Sequence, residues 1–172
     1  MAFVLEDGTG LPTSNAYTTV AEVNTYLADR GLASTAWEAL GNSEKQQLIV
    51  QACDYVDVRF RWRGMRSLNS QNMEWPRLNA TKDDGALVTG VPTELKEAVA
   101  EYANRAATAP LAPDPLYQDE NSPLASKREK VGPIEVEVRY SGGGSIITFR
   151  KYPIADQKLR ELVQGGQRLL RS

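Results

Sequence analysis

Aromatic and arginine residues alternate in residues 59–66, RFRWRGMR. Arginine binds phosphate oxygens and aromatic rings stack on bases, so this composition is typical of a surface that binds single-stranded nucleic acid. The side chains that we expect to face DNA or a subunit interface are Arg59, Arg61, Trp62, Arg63 and Arg66. Simpler roles stay open. Arg59 and Arg61 follow a predicted helix end, where basic groups stabilise the last carbonyls, and Trp62 can close one end of a helix bundle with Trp75.

The absence of histidine restricts the chemistry that the chain can perform. Imidazole is the usual general base near neutral pH and the commonest zinc ligand, so Ser-His-Asp triads, Cys-His pairs and His-metal sites are excluded. Cys53 is the one cysteine, which excludes an intrachain disulfide and a thiolate metal cluster. We expect Cys53, in an apolar helix, to be an inert core residue.

Two pairs of carboxylates and one glycine run are the remaining candidates for a site. Asp54 with Asp57, and Glu94 with Glu97, are spaced so that they share a helix face, where they could hold a divalent cation or act as an acid/base pair. A solvated helix face explains both pairs more simply. Gly142–Gly144 joins two predicted strands and therefore indicates a turn, because a phosphate-binding loop leads from a strand into a helix. We expect no enzyme activity, no cofactor and no metal.

The charge of the chain is segregated although its sum is small. The 172 residues are 41% hydrophobic and carry a formal net charge of -2, which predicts one substantial core and argues against a dedicated nucleic-acid binder. Residues 1–58 have a net charge of -6, residues 59–82 of +5 and residues 150–172 of +4. This segregation suits head-to-tail packing of identical subunits, and it equally suits a basic channel that faces DNA.

Capping signals and apolar spacing predict a mainly α protein. Thr19 and Glu22 form a capping box that opens a helix over residues 19–30, and a short helical turn over 35–40 carries Trp37. A second box, Ser43 with Gln46, opens a helix that runs to about residue 60. Thr93 caps a helix that ends near residue 107. Between these helices, residues 64–92 are polar and rich in turn formers, which predicts a long ordered loop.

The composition changes after residue 107. Residues 108–133 are predicted as an extended linker, and alternating apolar residues over 134–140 predict a strand that turns at SGGGS and pairs with residues 146–149. Ile154, Leu159, Leu162 and Val163 mark a last helix. We therefore expect a small helical bundle with a long ordered loop, a β-hairpin and a C-terminal helix. The predicted parts of the chain are a helical core domain of residues 1–107, the extended linker of residues 108–133, and an interaction arm of residues 134–172 that contains the hairpin and the C-terminal helix.

Six stretches of the chain carry a family resemblance through their order and spacing: VLEDGTGLPTSNAYTTVAEVNTYLADRG, QACDYVDVRFRWRG, QNMEWPR, VPTELKEAVAEYANRA, KREKVGPIEVEV and YPIADQKLRELV. Together they resemble the head-to-tail connector, or adaptor, proteins of tailed bacteriophages, some of which are labelled DnaT-like single-stranded-DNA-binding proteins. The resemblance implies a structural virion protein in the neck, made in the host cytoplasm. It implies a dodecameric ring of about twelve copies, bound to the portal, that extends the DNA channel for viral genome ejection.

The resemblance also implies partners. These are the portal protein, a tail or tail-completion protein, further copies of the chain and the packaged double-stranded DNA, with no membrane. The residues that it implies for the portal contact are Tyr152, Pro153, Ile154, Leu159, Leu162, Arg168 and Arg171. The alternative function is a single-stranded-DNA-binding protein of a phage or plasmid replication system, which would use residues 59–63. Salt dependence of oligonucleotide binding separates the two functions.

Overall fold

A computed structural model describes residues 2–112, 126–131, 134–139 and 152–164. In chain order, its elements are α1 (Val20–Asp29), α2 (Thr35–Ala39), α3 (Asn42–Arg59), β1 (Met65–Arg66), β2 (Arg77–Leu78), α4 (Thr93–Ala106), β3 (Ser126–Val131), β4 (Ile134–Arg139) and α5 (Pro153–Lys158). The predicted fold class is confirmed, because the protein is mainly helical with an antiparallel hairpin and a C-terminal helix. Among the described residues, no helix has the length and apolar composition needed to cross a membrane.

The helix starts follow hydrogen-bond chemistry close to the predicted caps. The capping box of α1 is confirmed, since Thr19 Oγ1 accepts from the backbone N–H of Glu22 and the Glu22 carboxylate accepts from that of Thr19. The box predicted at Ser43 is wrong. Helix α3 begins earlier, because the N–H of Gly41 donates to Glu44 Oε2 at 2.8 Å. A charged carboxylate is a stronger acceptor there than the amide of a glutamine.

The core lies mainly between α3 and α4. Ile49, Ala52 and Val56 of α3 are fully buried, and their spacing places them on one face of the helix. Three tyrosine rings on α3, α4 and the start of α5 contact one another edge to face, with centroids 5.3 to 6.3 Å apart. Helix α5 packs against α4, and Leu159 and Leu162, which follow α5, are buried. Thr93, predicted as the cap of α4, is instead its first residue, because the carbonyl of Pro92 accepts the first helical hydrogen bonds.

The predicted long loop is ordered and folds onto the end of α3. It contains a short antiparallel ribbon in which Met65 lies opposite Leu78 and Arg66 opposite Arg77. Gly64 precedes the ribbon with φ of +71°, and a Cβ at this position would lie 2.3 Å from the carbonyl oxygen of Leu78. Only glycine therefore allows this close approach of the two backbones. Trp75 is completely buried against Trp62 and anchors the loop to the core.

The described residues fall into two compact units. Residues 2–111 and 152–164 form a helical unit, whereas β3 and β4 belong to the second unit. The placement of α5 differs from the predicted arm of 134–172, because α5 packs against α4 and belongs to the helical unit. The predicted linker is also wrong over residues 126–131, which form β3 and pair with β4 from Ser126 opposite Arg139 to Val131 opposite Ile134. The strand predicted over 146–149 lies outside the described residues.

Candidate nucleic-acid interface

Arg59 is a structural residue at the end of α3. Its guanidinium group lies 2.7 Å from Asp156 Oδ2 of α5 and donates to the hydroxyl groups of Tyr55 and Tyr102. The Tyr102 hydroxyl also donates to Asp156, and burial together with this carboxylate raises the pKa of Tyr102. Only 10% of the Arg59 side chain is exposed. Arg59 therefore joins α3 to α5 and is not available to a phosphate in this structure.

Trp62 is also part of the core. It is 3% exposed, and its ring lies 5.8 Å from that of Phe60 and 5.9 Å from that of Trp75. Its backbone lies opposite Val163, and the N–H of Gln164 donates to the carbonyl of Arg61 at 2.7 Å. The segment after α3 is therefore paired with the C-terminal segment. This geometry supports the simpler role for Trp62, in which it closes one end of the bundle together with Trp75.

The remaining arginines of the segment differ in how their charge is compensated. Arg63 forms an ion pair with Asp83 and donates to the carbonyls of Thr81 and Val163. Within the described residues, Arg66 donates to the carbonyls of Gln71 and Met73 and has no carboxylate partner.

Arg61 is exposed, and its side chain has no hydrogen-bond or ion-pair partner within residues 2–112, 126–131, 134–139 and 152–164. Among the described arginines of this segment, Arg61 and Arg66 thus lack a carboxylate partner.

The two predicted carboxylate pairs do not form sites. Glu94 pairs with Lys82, and Glu97 pairs with Arg30 and Lys158. In the part of the chain that the structure describes, no cluster of three or more metal-ligating side chains is present. The glycine run 142–144 lies outside that part.

Asp57 belongs to a buried network that no pattern in the sequence indicated. Its carboxylate accepts from the Tyr17 hydroxyl at 2.7 Å and from the N–H of Glu74 at 3.1 Å, and the N–H of Trp75 donates to the same Tyr17 hydroxyl. Burial raises the pKa of Asp57 to about 7. The network fastens the N-terminal segment and the long loop to α3. Cys53 lies beside it, is fully buried, and has a pKa raised by that burial.

Glu6 is a second buried carboxylate that sequence reasoning missed. It accepts hydrogen bonds from the backbone N–H groups of Gly8, Gly10 and Leu11 and from the Ser14 hydroxyl, at 2.8 to 2.9 Å. All its partners follow within eight residues, so the signal was a carboxylate placed directly before a glycine-rich turn. The four donors satisfy the buried charge, and Glu6 is therefore the centre about which the N-terminal loop folds.

Comparison with known families decides the affiliation of the chain. The family model described as "Putative DnaT-like ssDNA binding protein" matches residues 1–171. The chain belongs to this DnaT-like family. No curated protein and no solved structure matches it.

Membership of the DnaT-like family corrects the expectation of a phage structural protein. The family model that matches nearly the whole chain is described as a DnaT-like ssDNA binding protein, and no finding supports a portal, a tail, a connector or a ring. The assignment to a virion neck is therefore wrong. The part of the prediction that is confirmed is the affiliation with the DnaT-like proteins.

The residues predicted for a portal contact have mostly structural positions in this DnaT-like protein. Tyr152, Leu159 and Leu162 are buried in the helical unit. Pro153 and Ile154 are exposed at the start of α5. Arg168 and Arg171 lie outside the described residues.

Proposed function

We propose that this protein binds single-stranded DNA and catalyses no reaction. The observation that carries the proposal is the match of the DnaT-like family model to residues 1–171. Two features of the helical unit support it. Residues 59–82 have a net charge of +5, and the positive charges of Arg61 and Arg66 are not compensated by a carboxylate within the described part of the chain.

The expected mode of binding is electrostatic, with little aromatic stacking in the helical unit. Every aromatic side chain in the described residues is buried or half-buried, and Trp62 is in the core. Stacking on exposed aromatic rings normally supplies much of the affinity of single-strand binders. Since that contribution is small here, neutralisation of phosphates should dominate the affinity, and the affinity should fall steeply with salt.

The test is a titration of a labelled oligothymidylate of about 30 nucleotides, long enough for a site of about 4 to 16 nucleotides, followed by fluorescence anisotropy. We expect the logarithm of the association constant to fall linearly with the logarithm of the KCl concentration, by about 0.7 for each phosphate that is neutralised. A duplex of the same length serves as competitor and should bind more weakly. Absence of binding at about 50 mM KCl, or equal affinity for the duplex, would refute the proposal.

Two substitutions that remove the same charge provide the matched control. Arg61→Ala removes an exposed positive charge beside the basic end of α3, whereas Lys45→Ala removes a half-buried positive charge, which lies over the Trp37 ring, from the first turn of the same helix. The two positions are about 20 Å apart, because each helical residue advances the chain by about 1.5 Å. We expect Arg61→Ala to weaken binding and Lys45→Ala to leave it nearly unchanged. Equal effects would show that net charge alone sets the affinity.

A further inference from the structure

On the β1–β2 ribbon the apolar side chains are exposed and the arginines are half-buried, which is the reverse of an ordinary surface ribbon. Met65 and Leu78 lie directly opposite each other and are 59% and 50% exposed. Their neighbours Arg66 and Arg77 are half-buried, and both guanidinium groups donate to backbone carbonyls of the long loop. Opposed residues of an antiparallel pair lie on the same face of the ribbon. Two large apolar side chains therefore form one adjacent pair on the solvent side.

The apolar pair lies in a region of uncompensated positive charge. Arg77 is balanced by Glu74 at 2.6 Å, and Arg63 by Asp83 at 2.5 Å. Arg66, in the ribbon itself, has only carbonyl acceptors, and its buried Nε has no hydrogen-bond partner among the described atoms. Arg61, four residues before Met65, is exposed and unpaired within the same part of the chain. The surface therefore combines apolar contact area with positive charge.

We infer that the β1–β2 ribbon is the surface on which single-stranded nucleic acid binds, with bases packed against Met65 and Leu78 and phosphates near the exposed Arg61. The inference rests on the proposed function and assigns its site. A single strand presents apolar base faces next to its phosphates, and this matches the ribbon in both respects. In a duplex the base faces are stacked inside the helix, so the apolar pair would have nothing to contact. Binding at the ribbon therefore favours single strands over duplexes, and it requires no exposed aromatic ring on the protein.

The test compares the double substitution Met65→Ser/Leu78→Ser with the wild type in the oligothymidylate titration. The matched control is Ile154→Ser, which removes a comparably exposed apolar side chain from α5. We expect the double variant to bind at least about tenfold more weakly, and Ile154→Ser to bind as the wild type does. Because the double variant keeps every arginine, its salt slope should stay that of the wild type. Arg61→Ala should instead reduce the slope by about 0.7.

The possible results of this titration distinguish a failure of the proposed binding site from a failure of the proposed function. If the wild type binds single strands and the double variant binds equally well, the site is refuted and the proposed function stands. If the wild type does not bind, the proposed function and the site fail together. If the double variant sediments with a different mass from the wild type, the ribbon is a contact between copies and the inference is overturned.

A variant that keeps more of the side-chain volume guards against misfolding. Met65→Gln/Leu78→Gln retains long side chains on the ribbon and removes its apolar character. The same loss of affinity with an unchanged melting temperature would support the inference. Wild-type affinity in this variant would overturn it, because packing of bases on apolar atoms could then not be the contact.

Discussion

The buried carboxyl group of Asp57 should make the helical unit less stable as the pH rises toward neutrality. The pKa of Asp57 is raised by burial from an ordinary value of 3.8 to about 7. Between these two values the folded protein binds a proton that the unfolded chain has released. The stabilisation by the protonated group is therefore complete below about pH 3.8, declines as the pH rises, and is lost above about pH 7.

The magnitude follows from the same two pKa values. Each pH unit between them changes the free energy of unfolding by about 1.4 kcal/mol, so the full contribution is about 4 kcal/mol. The substitution Asp57→Asn removes the titration but keeps an oxygen that can accept from the Tyr17 hydroxyl. It leaves the N–H of Glu74 without its acceptor, at a cost of about 1 kcal/mol.

These contributions predict that the wild type is more stable than Asp57→Asn at low pH and less stable at neutral pH. Near pH 4 the wild type should be more stable than Asp57→Asn by about 1 kcal/mol, and above pH 7 the variant should be more stable by about 3 kcal/mol. The assay is urea denaturation at a series of pH values, followed by tryptophan fluorescence, since Trp75 contacts the network directly. Asp54→Asn, at an exposed position one helical turn away, is the control. A difference between wild type and Asp57→Asn that stays constant with pH would refute the reasoning.

Three further predictions concern local structure. Glu6→Gln should lower the free energy of unfolding by about 3 kcal/mol in thermal denaturation, because an amide cannot accept from four donors, whereas Asp7→Asn at the exposed neighbour should have little effect. Gly64→Ala should lower the melting temperature far more than Gly85→Ala, since both have positive φ but only the former would place a Cβ against backbone; equal effects would contradict this account. Cys53 should not react with a thiol reagent in the native protein and should react fully in denaturant, and rapid native labelling would show that the core opens.

Local signals explain which parts of the fold could be predicted from the sequence. The helix starting after Thr19 depends on residues three positions apart, and the strand 134–139 on simple alternation. The partner strand 126–131 was missed because its residues are mostly charged and carry no apolar alternation. Its pairing with 134–139 is a tertiary choice that composition did not indicate.

The candidate site shows the limit of local reasoning more clearly. Arg59 and Arg61 have the same residue type and nearly the same neighbours, yet one is buried against Asp156 and the other is exposed. The deciding partner lies 97 residues away along the chain. Likewise, Asp57 meets Tyr17 from 40 residues away. Sequence patterns therefore located the basic segment but could not tell which of its charges remain free.

The second unit is an insertion, because the helical unit consists of residues on both sides of it. The two ends of the helical unit meet where the hydroxyl of Tyr152 donates to the carbonyl of Leu111 at 3.3 Å. The chain leaves the helical unit and returns to it at two neighbouring points, so a short Gly-Ser connection could replace the inserted residues without stretching either end. The same arrangement delays folding during synthesis. After Leu111 has been added, the ribosome needs roughly 3 to 10 seconds to reach the segment that covers Trp62. During that interval the emerging helices expose apolar surface, and a chain truncated within the insertion would keep it exposed permanently.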